Sequence, residues 1–470
     1  MESMLADGEI VRRFLALKHQ VHPDVVSYIR EQNDPTLIDR IAAGVPDGTL
    51  VISAEHIPGL KKVRDGTRFL VDPELEVITG SAGSTGSVSG HEDAVHYFRD
   101  RYNSLSSMIR GRLTAMPIEA LVRSPHRYRD EECGIIGMVA DVRTTAKGHR
   151  LVEVDDPTGA IGVLFNTGTG DAFVAAARIR PVVVLGVKGK LSSDGGLFFA
   201  EQLSRPDVPI NNAPFKSDRP GKAVLISDVH VGSDTFLEDG WNRFADWLQD
   251  SDAGYLLIAG DLVDGIGIYP GQDNELTIKN IYEQYDVFGE MLRDLPSRIR
   301  IVAAPGNHDV VRMAEPQPAI PPEFTTRFPA NCTLVENPCL LNLQGVRVLM
   351  YHGRSIDDMI GLIPGASYER PGEIMDEMLK RRLLAAPYGM RTPIAAMKND
   401  RLVIDPLPEI LLTGHVHICG ITRYRGVLGV NTGTWQSQTA FQKQMNINPT
   451  PARAFVIDLQ TLQPEVMDFS

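Results

Sequence analysis

The chain has 470 residues, of which 43% are hydrophobic and 23% charged, and its formal net charge is −13 at pH 7. This length predicts two to four domains, each large enough to bury a core of its own. The acidic balance argues against a protein that coats nucleic acid unaided, because nonspecific affinity requires lysine and arginine to neutralise phosphates. The four cysteines show no CxxC spacing, and the sequence contains no signal peptide or apolar run that could span a bilayer. We therefore expect a reduced, cytoplasmic protein without membrane partners.

Residues 1–70 are predicted to form a small helical module. Pro23 suits a first helical turn and Gly44 a helix end. Helical periodicity places apolar stripes on Ile10, Val11, Phe14, Leu15, Val25, Val26 and Ile29. The pattern is equally consistent with a packed domain and with a docking module for another protein.

Residues 71–91 are predicted to be a flexible linker, because the run GSAGSTGSVSG from Gly80 to Gly90 has no side chain able to build a core. Residues 92–131 are predicted as a connecting helical segment, with a helix from Ala94 to about Met108. A cluster of arginines follows, which could face phosphates but is more typical of a solvated surface; it comprises Arg110, Arg112, Arg123, Arg127 and Arg129.

Residues 132–210 are predicted to form a small barrel of the oligonucleotide-binding type. Short alternating strands are separated here by turn sequences such as Asp155–Gly159 and Ser193–Gly196. Phe165, Phe198 and Phe199 could stack bases, although aromatic residues in a small barrel more often belong to its core.

Residues 221–470 alternate strands with helical stretches, such as Phe236–Gln249 and Asn280–Leu295. This alternation predicts a layered α/β domain in which helices cover a sheet. The predicted fold class is therefore α/β and multidomain: a helical module, a β-barrel, and a layered β-sandwich domain with flanking helices. Six strands of the last domain end in polar residues, in the segments VLISDVH, LLIAGDLVDG, VAAPGNHD, VLMYHG, ILLTGHVH and GVLGVNTGT, the last around Asn431.

These polar residues indicate a centre for two divalent cations. Residues that follow buried strands gather at one edge of an α/β sheet, and oxygen and imidazole ligands suit such ions. Asp261 stands alone in its motif and is predicted to bridge the pair. The other ligands divide into Asp228, His230 and His417 for one ion, and Asn307, His352 and His415 for the other. Without a thiolate in the set, manganese, iron and zinc all remain open; manganese is our expectation.

His308 is the predicted catalytic residue, because it adjoins a ligand and could protonate a departing alkoxide. Asp309 could orient its ring or have no special role, and Asp264 could hydrogen-bond a ligand. A single histidine would more often be a core or surface residue. However, five of the 12 histidines of the chain fall in these motifs in a fixed order, which favours a common site.

The motifs DxH at Asp228, GDxxDG at Asp261, GNHD at Asn307, HG at His352 and GHxH at His415 resemble those of the calcineurin-like metallophosphoesterases, most closely the double-strand-break repair nuclease branch. The succession of helical module, linker, barrel and phosphoesterase is similar to that of the small-subunit family of archaeal family D DNA polymerases. That similarity extends over nearly the whole chain.

The resemblance implies a 3'-to-5' exonuclease that removes misincorporated nucleotides from DNA 3' ends through a hydroxide activated by two metals. It also implies a large catalytic polymerase subunit as partner, in a heterodimer or larger complex, and the helical module could recruit other replication proteins. A catalytically silent scaffold subunit and a free phosphomonoesterase are the alternatives. Every ligand position of the motifs carries a residue that can bind a metal ion, which favours the nuclease. Basic residues that could attract DNA to this domain, or lie on a solvated helix face, are Arg298, Arg300, Lys380, Arg381 and Arg382.

Overall fold

The computed structural model of the chain describes residues 6–32, 36–45, 49, 51–53, 73–83, 90–128 and 131–470. Two units are distinguished, Met1–Thr67 and Arg68–Ser470, of which the second contains both the barrel and the large sheet. Within the described ranges, no helix is long and apolar enough to cross a membrane.

The first unit has a helical core, as predicted. Pro23 begins the second helix and Gly44 ends the third, whereas Val11 and Leu15 are exposed, so the apolar stripe of the first helix is narrower than predicted. Its elements are α1 (Asp7–Ala16), β1 (Gln20–Val21), α2 (Pro23–Gln32), α3 (Thr36–Gly44) and β2 (Val51–Ile52), with β1 and β2 parallel. The core comprises Ile10, Phe14, Val25, Val26, Ile29, Ile38, Ile41 and Ile52.

The predicted linker contains a strand, so that prediction is wrong for part of its length. β3 (Leu75–Ser81) pairs antiparallel with β12 (Cys332–Leu343) of the large sheet. Leu75 and Val77 pack against the core of that sheet, which supplies the burial that the glycine- and serine-rich run after them lacks. Residues 84–89 lie outside the described part of the chain, and α4 (Gly90–Arg110) and α5 (Ile118–Arg123) follow.

A closed barrel of five strands forms the middle of the chain, which confirms the predicted barrel. Phe165 and Phe198 are buried in its core, so the base-stacking alternative is wrong for these two, while Phe199 is exposed. In spatial order the strands are β4 (Glu132–Thr144), β5 (Arg150–Asp156), β6 (Gly159–Phe165), β8 (Leu197–Ser204) and β7 (Val184–Leu191), which pairs back with β4; α6 (Asp171–Ala176) lies between β6 and β7.

The C-terminal domain contains a curled sheet, of eleven strands in the described part of the chain. Besides β3 and β12, the strands are β9 (Lys222–Ile226), β10 (Tyr255–Ala259), β11 (Arg300–Ala304), β13 (Val346–Met350), β14 (Ile410–Thr413), β15 (Cys419–Tyr424), β16 (Val427–Thr432), β17 (Arg453–Asp458) and β18 (Pro464–Asp468). The main order is β15-β16-β14-β13-β12-β11-β10-β9-β17-β18, and β9, β10, β11 and β12 run parallel. The helices are α7 (Glu238–Asp250), α8 (Ile281–Arg293), α9 (Ser355–Leu362), α10 (Pro371–Arg381) and α11 (Ala440–Gln444).

The alternation of side chains along the strands creates the layers of this domain. Val224 and Ile226 of β9 join a core beneath α7 and α8, while Leu225 enters a core shared by both halves of the sheet. On the other half, Leu349 of β13 faces α9 and α10. The sheet is thus covered by helices on its outer faces and packed against itself inside, which confirms the layered α/β prediction.

Ion pairs connect the barrel region to this domain. Glu377 of α10 is buried and accepts hydrogen bonds from Arg178 at 2.9 Å and Arg205 at 3.1 Å. Arg381, also buried, lies 3.7 Å from the same carboxylate. A second connection is the buried pair of Arg101 on α4 with Asp400, at 2.5 Å.

Most of the basic residues considered for DNA attraction are engaged within the fold. Arg382 donates to the carbonyl of Ile404, and Arg298 donates to carbonyls at the end of α7. In the earlier arginine cluster, Arg112 binds the carbonyls of residues 205 and 206 and Arg123 pairs with Glu119. A DNA-facing role is therefore wrong for the buried Arg381 and Arg382, because their charges are enclosed by the fold. Arg129 lies outside the described residues.

Candidate metal centre

The structure brings all the predicted site residues into one cluster. They follow the carboxyl ends of five strands of the folded sheet. Asp228 and His230 follow β9, Asp261 follows β10, and Asn307 and His308 follow β11. His352 follows β13, and His415 and His417 follow β14. β9, β10 and β11 form one parallel set and β13 and β14 a second, and β12 pairs antiparallel with β13 between them. Within each set the carboxyl ends share an edge, and the folded sheet brings the two edges together, so that residues almost 200 positions apart meet.

The first group of side chains is Asp228, His230 and His417, whose ligand atoms lie within 4.8 Å of one another. The Nε2 atoms of the two imidazoles are 3.1 Å apart, and His417 Nε2 is 3.4 Å from Asp228 Oδ1. That oxygen is buried and makes no hydrogen bond with the described residues. A buried carboxylate oxygen without a donor is costly, and a cation would compensate it.

The second group is Asp261, His352 and His415, with Asn307 beside it. His352 Nε2 lies 3.3 Å from Asp261 Oδ2 and 3.1 Å from Asn307 Oδ1. The same Asp261 oxygen is 3.8 Å from His230 Nε2 of the first group. Asp261 therefore faces both groups with one oxygen, the position required of a bridging carboxylate.

Hydrogen bonds to the outer ring nitrogens orient the imidazoles. His352 Nδ1 lies 2.9 Å from the carbonyl of Ala259, and His230 Nδ1 lies 3.1 Å from Asp264. A carbonyl or carboxylate acceptor fixes a proton on the outer nitrogen and leaves the inner one free to bind a cation. His415 is oriented in the opposite sense, because its Nε2 lies 3.1 Å from Asp357 and so leaves Nδ1 as the inner nitrogen.

The backbone at these positions is strained. Five of the seven predicted ligands have left-handed backbone angles, with φ of 53° at Asp228, 55° at His230, 50° at Asp261, 72° at His415 and 60° at His417. Such angles cost free energy in residues other than glycine and concentrate at functional sites. Close packing adds to the constraint: a Cβ on Gly306 would overlap the carboxylate and backbone nitrogen of Asp261, so only glycine fits there.

Mutual electrostatics set the protonation of the cluster. Burial alone would raise the pKa of Asp261, but the surrounding imidazoles outweigh it and hold that pKa well below its usual range. Burial alone would lower the pKa of His352, yet the carboxylates of Asp261 and Asp228 raise it to about 10. The buried carboxylates and imidazoles thus stabilise each other's charged forms, and bound cations would stabilise the same carboxylates.

His308 lies at the edge of the cluster and is partly exposed to the pocket. Its Nδ1 lies 2.7 Å from the carbonyl of Asp264, which leaves Nε2 available, and its ring centroid is 4.7 Å from that of His230. His308 also forms a possible ion-binding group with His230 and Asp261. The geometry is therefore compatible with a proton donor and with an additional ligand.

The acids beside these residues differ in role. Asp264 contacts His230, as the sequence suggested, and is itself held by Gln272 at 2.8 Å and Gln436 at 3.1 Å. Asp309 corresponds to neither of its two predicted roles. It is buried and accepts hydrogen bonds from the backbone nitrogens of residues 262 and 306 and from the Tyr285 hydroxyl, and so supports two ligand loops instead of the His308 ring. Burial and the nearby Asp261 raise the pKa of Asp309 to about 7.

Five of the seven predicted ligands form the floor of a cavity of about 480 Å³, whereas Asp228 and His352 are buried and do not line it. Further lining residues come from segments that the motifs did not include; they are Tyr269, Pro270, Asp357, Tyr368, Arg391, Gln436, Thr439, Phe441, Gln442, Met445 and Ile447. None lies in a polar cluster directly after a strand, and this is why sequence reasoning missed them. Asn431, at the end of the sixth segment, instead donates 2.7 Å to the carbonyl of Gly414 and steadies the His415 loop.

Comparison with known families identifies the class of the domain. The calcineurin-like phosphoesterase family matches residues 221–419, the part of the chain that supplies every predicted ligand. Members of that family use divalent metal ions, and the three groups of side chains described above, most of them buried, could hold such ions. The domain is therefore a calcineurin-like phosphoesterase.

Relatives match over a much longer part of the chain. The DNA polymerase II small subunit of Halobacterium salinarum is 42% identical over 88% of this chain and 81% of the relative. The subunit of the same name from Archaeoglobus fulgidus is 42% identical over 95% of both chains, and that from Methanothermobacter thermautotrophicus is 40% identical over 85% of this chain and 84% of the relative. The chain belongs to the family of archaeal DNA polymerase II small subunits, which confirms the resemblance seen in its motifs.

Proposed function

We propose that this chain is a metal-dependent 3'-to-5' exonuclease subunit that hydrolyses phosphodiesters at the 3' ends of DNA and removes misincorporated nucleotides. The observation that carries the proposal is the convergence of seven potential ligands and His308 in one cluster, which opens to a pocket of a calcineurin-like phosphoesterase domain. Every ligand position of the motifs carries a residue that can bind a metal ion, which also favours this function over a silent scaffold.

The donor set fits two cations in the arrangement expected from the sequence. Asp228, His230 and His417 would hold one ion, and Asn307, His352 and His415 the other, with Asp261 between them. When bound, two such ions supply a nucleophile from water and neutralise charge on the phosphoryl oxygens. Oxygen and imidazole donors without thiolate suit manganese, and iron or zinc are compatible.

His308 is assigned as the general acid. Its Nδ1 is occupied by the carbonyl of Asp264, so the proton delivered to the departing 3'-oxygen would come from Nε2, on the pocket side. Exposure to the cavity lets this nitrogen reach substrate, whereas the imidazoles of His230 and His352 are enclosed. His308 thus combines a fixed ring with access to the leaving group.

Delivery of DNA is assigned to a partner. The net charge of −13 and the internal use of Arg381 and Arg382 leave this chain poorly suited to hold DNA by itself. We infer that a large catalytic subunit presents the 3' end, as the name of the relatives suggests. The closed barrel, with α6 between its third and fourth strands, supports the expected oligonucleotide-binding type and could contribute to either contact.

Digestion of 3'-labelled single-stranded DNA with Mn²⁺ tests the proposal. We expect His308→Ala to lower turnover by about a hundredfold or more while metal content stays unchanged, the scale of a lost general acid. His126→Ala, at an exposed histidine outside the pocket, is the control for the loss of an imidazole. Full activity in His308→Ala would refute its role, and a parallel loss of metal would make His308 a ligand. A wild-type chain inactive on DNA but active on p-nitrophenyl phosphate would favour a phosphomonoesterase.

A further inference from the structure

One wall of the metal pocket is apolar and remains uncovered. Phe441 on α11 is 61% exposed and Met445, just after the helix, is 53% exposed, yet both line the cavity together with Ile447. Phe441 belongs to none of the hydrophobic clusters formed by the described residues. Together with Met445 and Ile447, Phe441 gives the pocket an apolar wall, the kind of surface with which a pocket binds the apolar part of a ligand.

This wall is fixed to the metal centre. Thr439 and Gln442 form a capping box at the start of α11, in which each side chain accepts a hydrogen bond from the backbone of the other residue. The side-chain amide of Gln442 also lies 2.7 Å from His417 Nδ1. Phe441 is therefore held at a defined place beside a predicted ligand, although its ring is free on the pocket side.

A second aromatic ring lines the cavity near the predicted general acid. The ring centroid of Tyr269 is 6.5 Å from that of His308, and its hydroxyl donates 2.9 Å to Glu275. The pocket thus combines a charged floor with aromatic side chains on its walls. A small phosphate would need only the floor, whereas a nucleotide also carries a base whose faces require an apolar or aromatic surface.

We propose that Phe441, supported by Met445, stacks against the base of the 3'-terminal nucleotide. This inference rests on the proposed nuclease function and specifies how its substrate is recognised. Stacking is tolerant of sequence, because every base has a π-face, so the wall suits an enzyme that must remove any of the four nucleotides. Tyr269 would contact the substrate on the side of the leaving group, next to His308.

Two measurements on the full-length chain, used within its complex with the large subunit, test the stacking directly. The first uses single-stranded DNA with 2-aminopurine at the 3' terminus, whose fluorescence falls when the base stacks. In a His308→Ala background, which slows cleavage, we expect quenching that Phe441→Ala removes and Phe441→Trp retains. Tyr282→Ala, at an exposed aromatic residue outside the pocket, should leave the quenching unchanged.

The second measurement compares cleavage of DNA with a normal or an abasic 3'-terminal nucleotide. We expect Phe441→Ala to lower kcat/KM about 5- to 150-fold for the normal end, the range that base–aromatic stacking provides, and to have little effect on the abasic end. Equal losses on both ends, or wild-type binding without quenching, would overturn the assignment. Loss of the large subunit from Phe441→Ala with quenching intact would also overturn it, because Phe441 would then belong to the subunit interface. A wild-type chain that stacks the base but does not cleave DNA would instead refute the nuclease function.

Discussion

Glu315 offers a test of the electrostatics beneath the metal centre. Its side chain is buried; Oε2 accepts a 2.9 Å hydrogen bond from Tyr351, the neighbour of His352, and Oε1 has no hydrogen-bond partner within the described part of the chain. Burial raises the pKa of Glu315 from 4.5 to about 7. The folded state therefore retains a proton that the unfolded chain releases between these two values.

This difference determines the sign and size of the expected effect. As the pH rises from 4.5 to about 7, Glu315 ionises in the unfolded state but stays protonated in the folded state. The wild-type protein therefore loses stability across that pH range. The difference between the two pKa values corresponds to a loss of about 3 kcal/mol in the free energy of unfolding once Glu315 is fully ionised, because each pKa unit is worth about 1.4 kcal/mol. Glu315→Gln removes the titration and keeps the shape of the side chain. We expect the stability of the variant relative to wild type to grow by about 2–3 kcal/mol between pH 5 and pH 8.

Denaturant unfolding at several pH values measures this difference. The three tryptophans, Trp241, Trp247 and Trp435, all lie in the domain that contains Glu315, so their fluorescence reports its unfolding. Other titrating groups are common to both proteins and cancel in the comparison. Glu323→Gln, at an exposed glutamate of the same segment, controls for the loss of one negative charge. A difference that stays flat across the pH range would show that the Glu315 carboxyl is not held neutral by burial, and would refute the reasoning.

Two other substitutions test the surroundings of the site. Asp357→Ala should lower the affinity for one of the two ions about 10- to 100-fold, because it removes the acceptor that orients His415. Titration of the metal-free protein with Mn²⁺ measures this affinity, and an unchanged value would contradict the prediction. Glu377→Gln should lower the free energy of unfolding by about 3–5 kcal/mol at pH 7, since the buried Arg381 loses its counter-ion, with Glu373→Gln on the exposed face of the helix as control. The pKa of Glu377 is lowered despite its burial, so its contribution should be present above pH 4.5 and disappear as the pH falls through the folded pKa. Parallel stability curves in acid would contradict the ion-pair explanation.

The predicted ligands could be found from sequence because each is part of a short local signal. A buried strand followed directly by Asp, His or Asn specifies both where the residue lies in a sheet and what it can bind. Asp228 and His230 illustrate this, since the strand before them is apolar after its first residue, Lys222, and both side chains enter the cluster. The parallel order of β9, β10 and β11 then brings separate motifs together without further information.

The remaining features depend on contacts between distant segments. Arg381 looks like one of several basic residues on a helix, and its burial follows from Glu377, whose other partners lie in and after the barrel. Similarly, β3 is short and its pairing partner β12 lies more than 250 residues away, so the following glycine-rich run dominated its prediction. Asp357 has no motif, and only the fold shows that it orients His415. The sequence shows which residues are polar, but their neighbours in the folded chain decide whether they form buried ion pairs or orient a ligand.

The strained backbone at the metal centre has a free-energy cost that the apolar cores around it must offset. Left-handed backbone angles at five of the predicted ligands cost on the order of 1 kcal/mol or more each, before the cost of burying several ionisable groups is added. That total is comparable to the net stability of a typical domain, so it must be offset elsewhere. The strands that end at the site supply the compensation, because their side chains fill one core beneath α7 and α8 and a second core inside the folded sheet. The ligand positions are therefore held by the sheet itself, and a cation would bind to an arrangement that the protein has already organised.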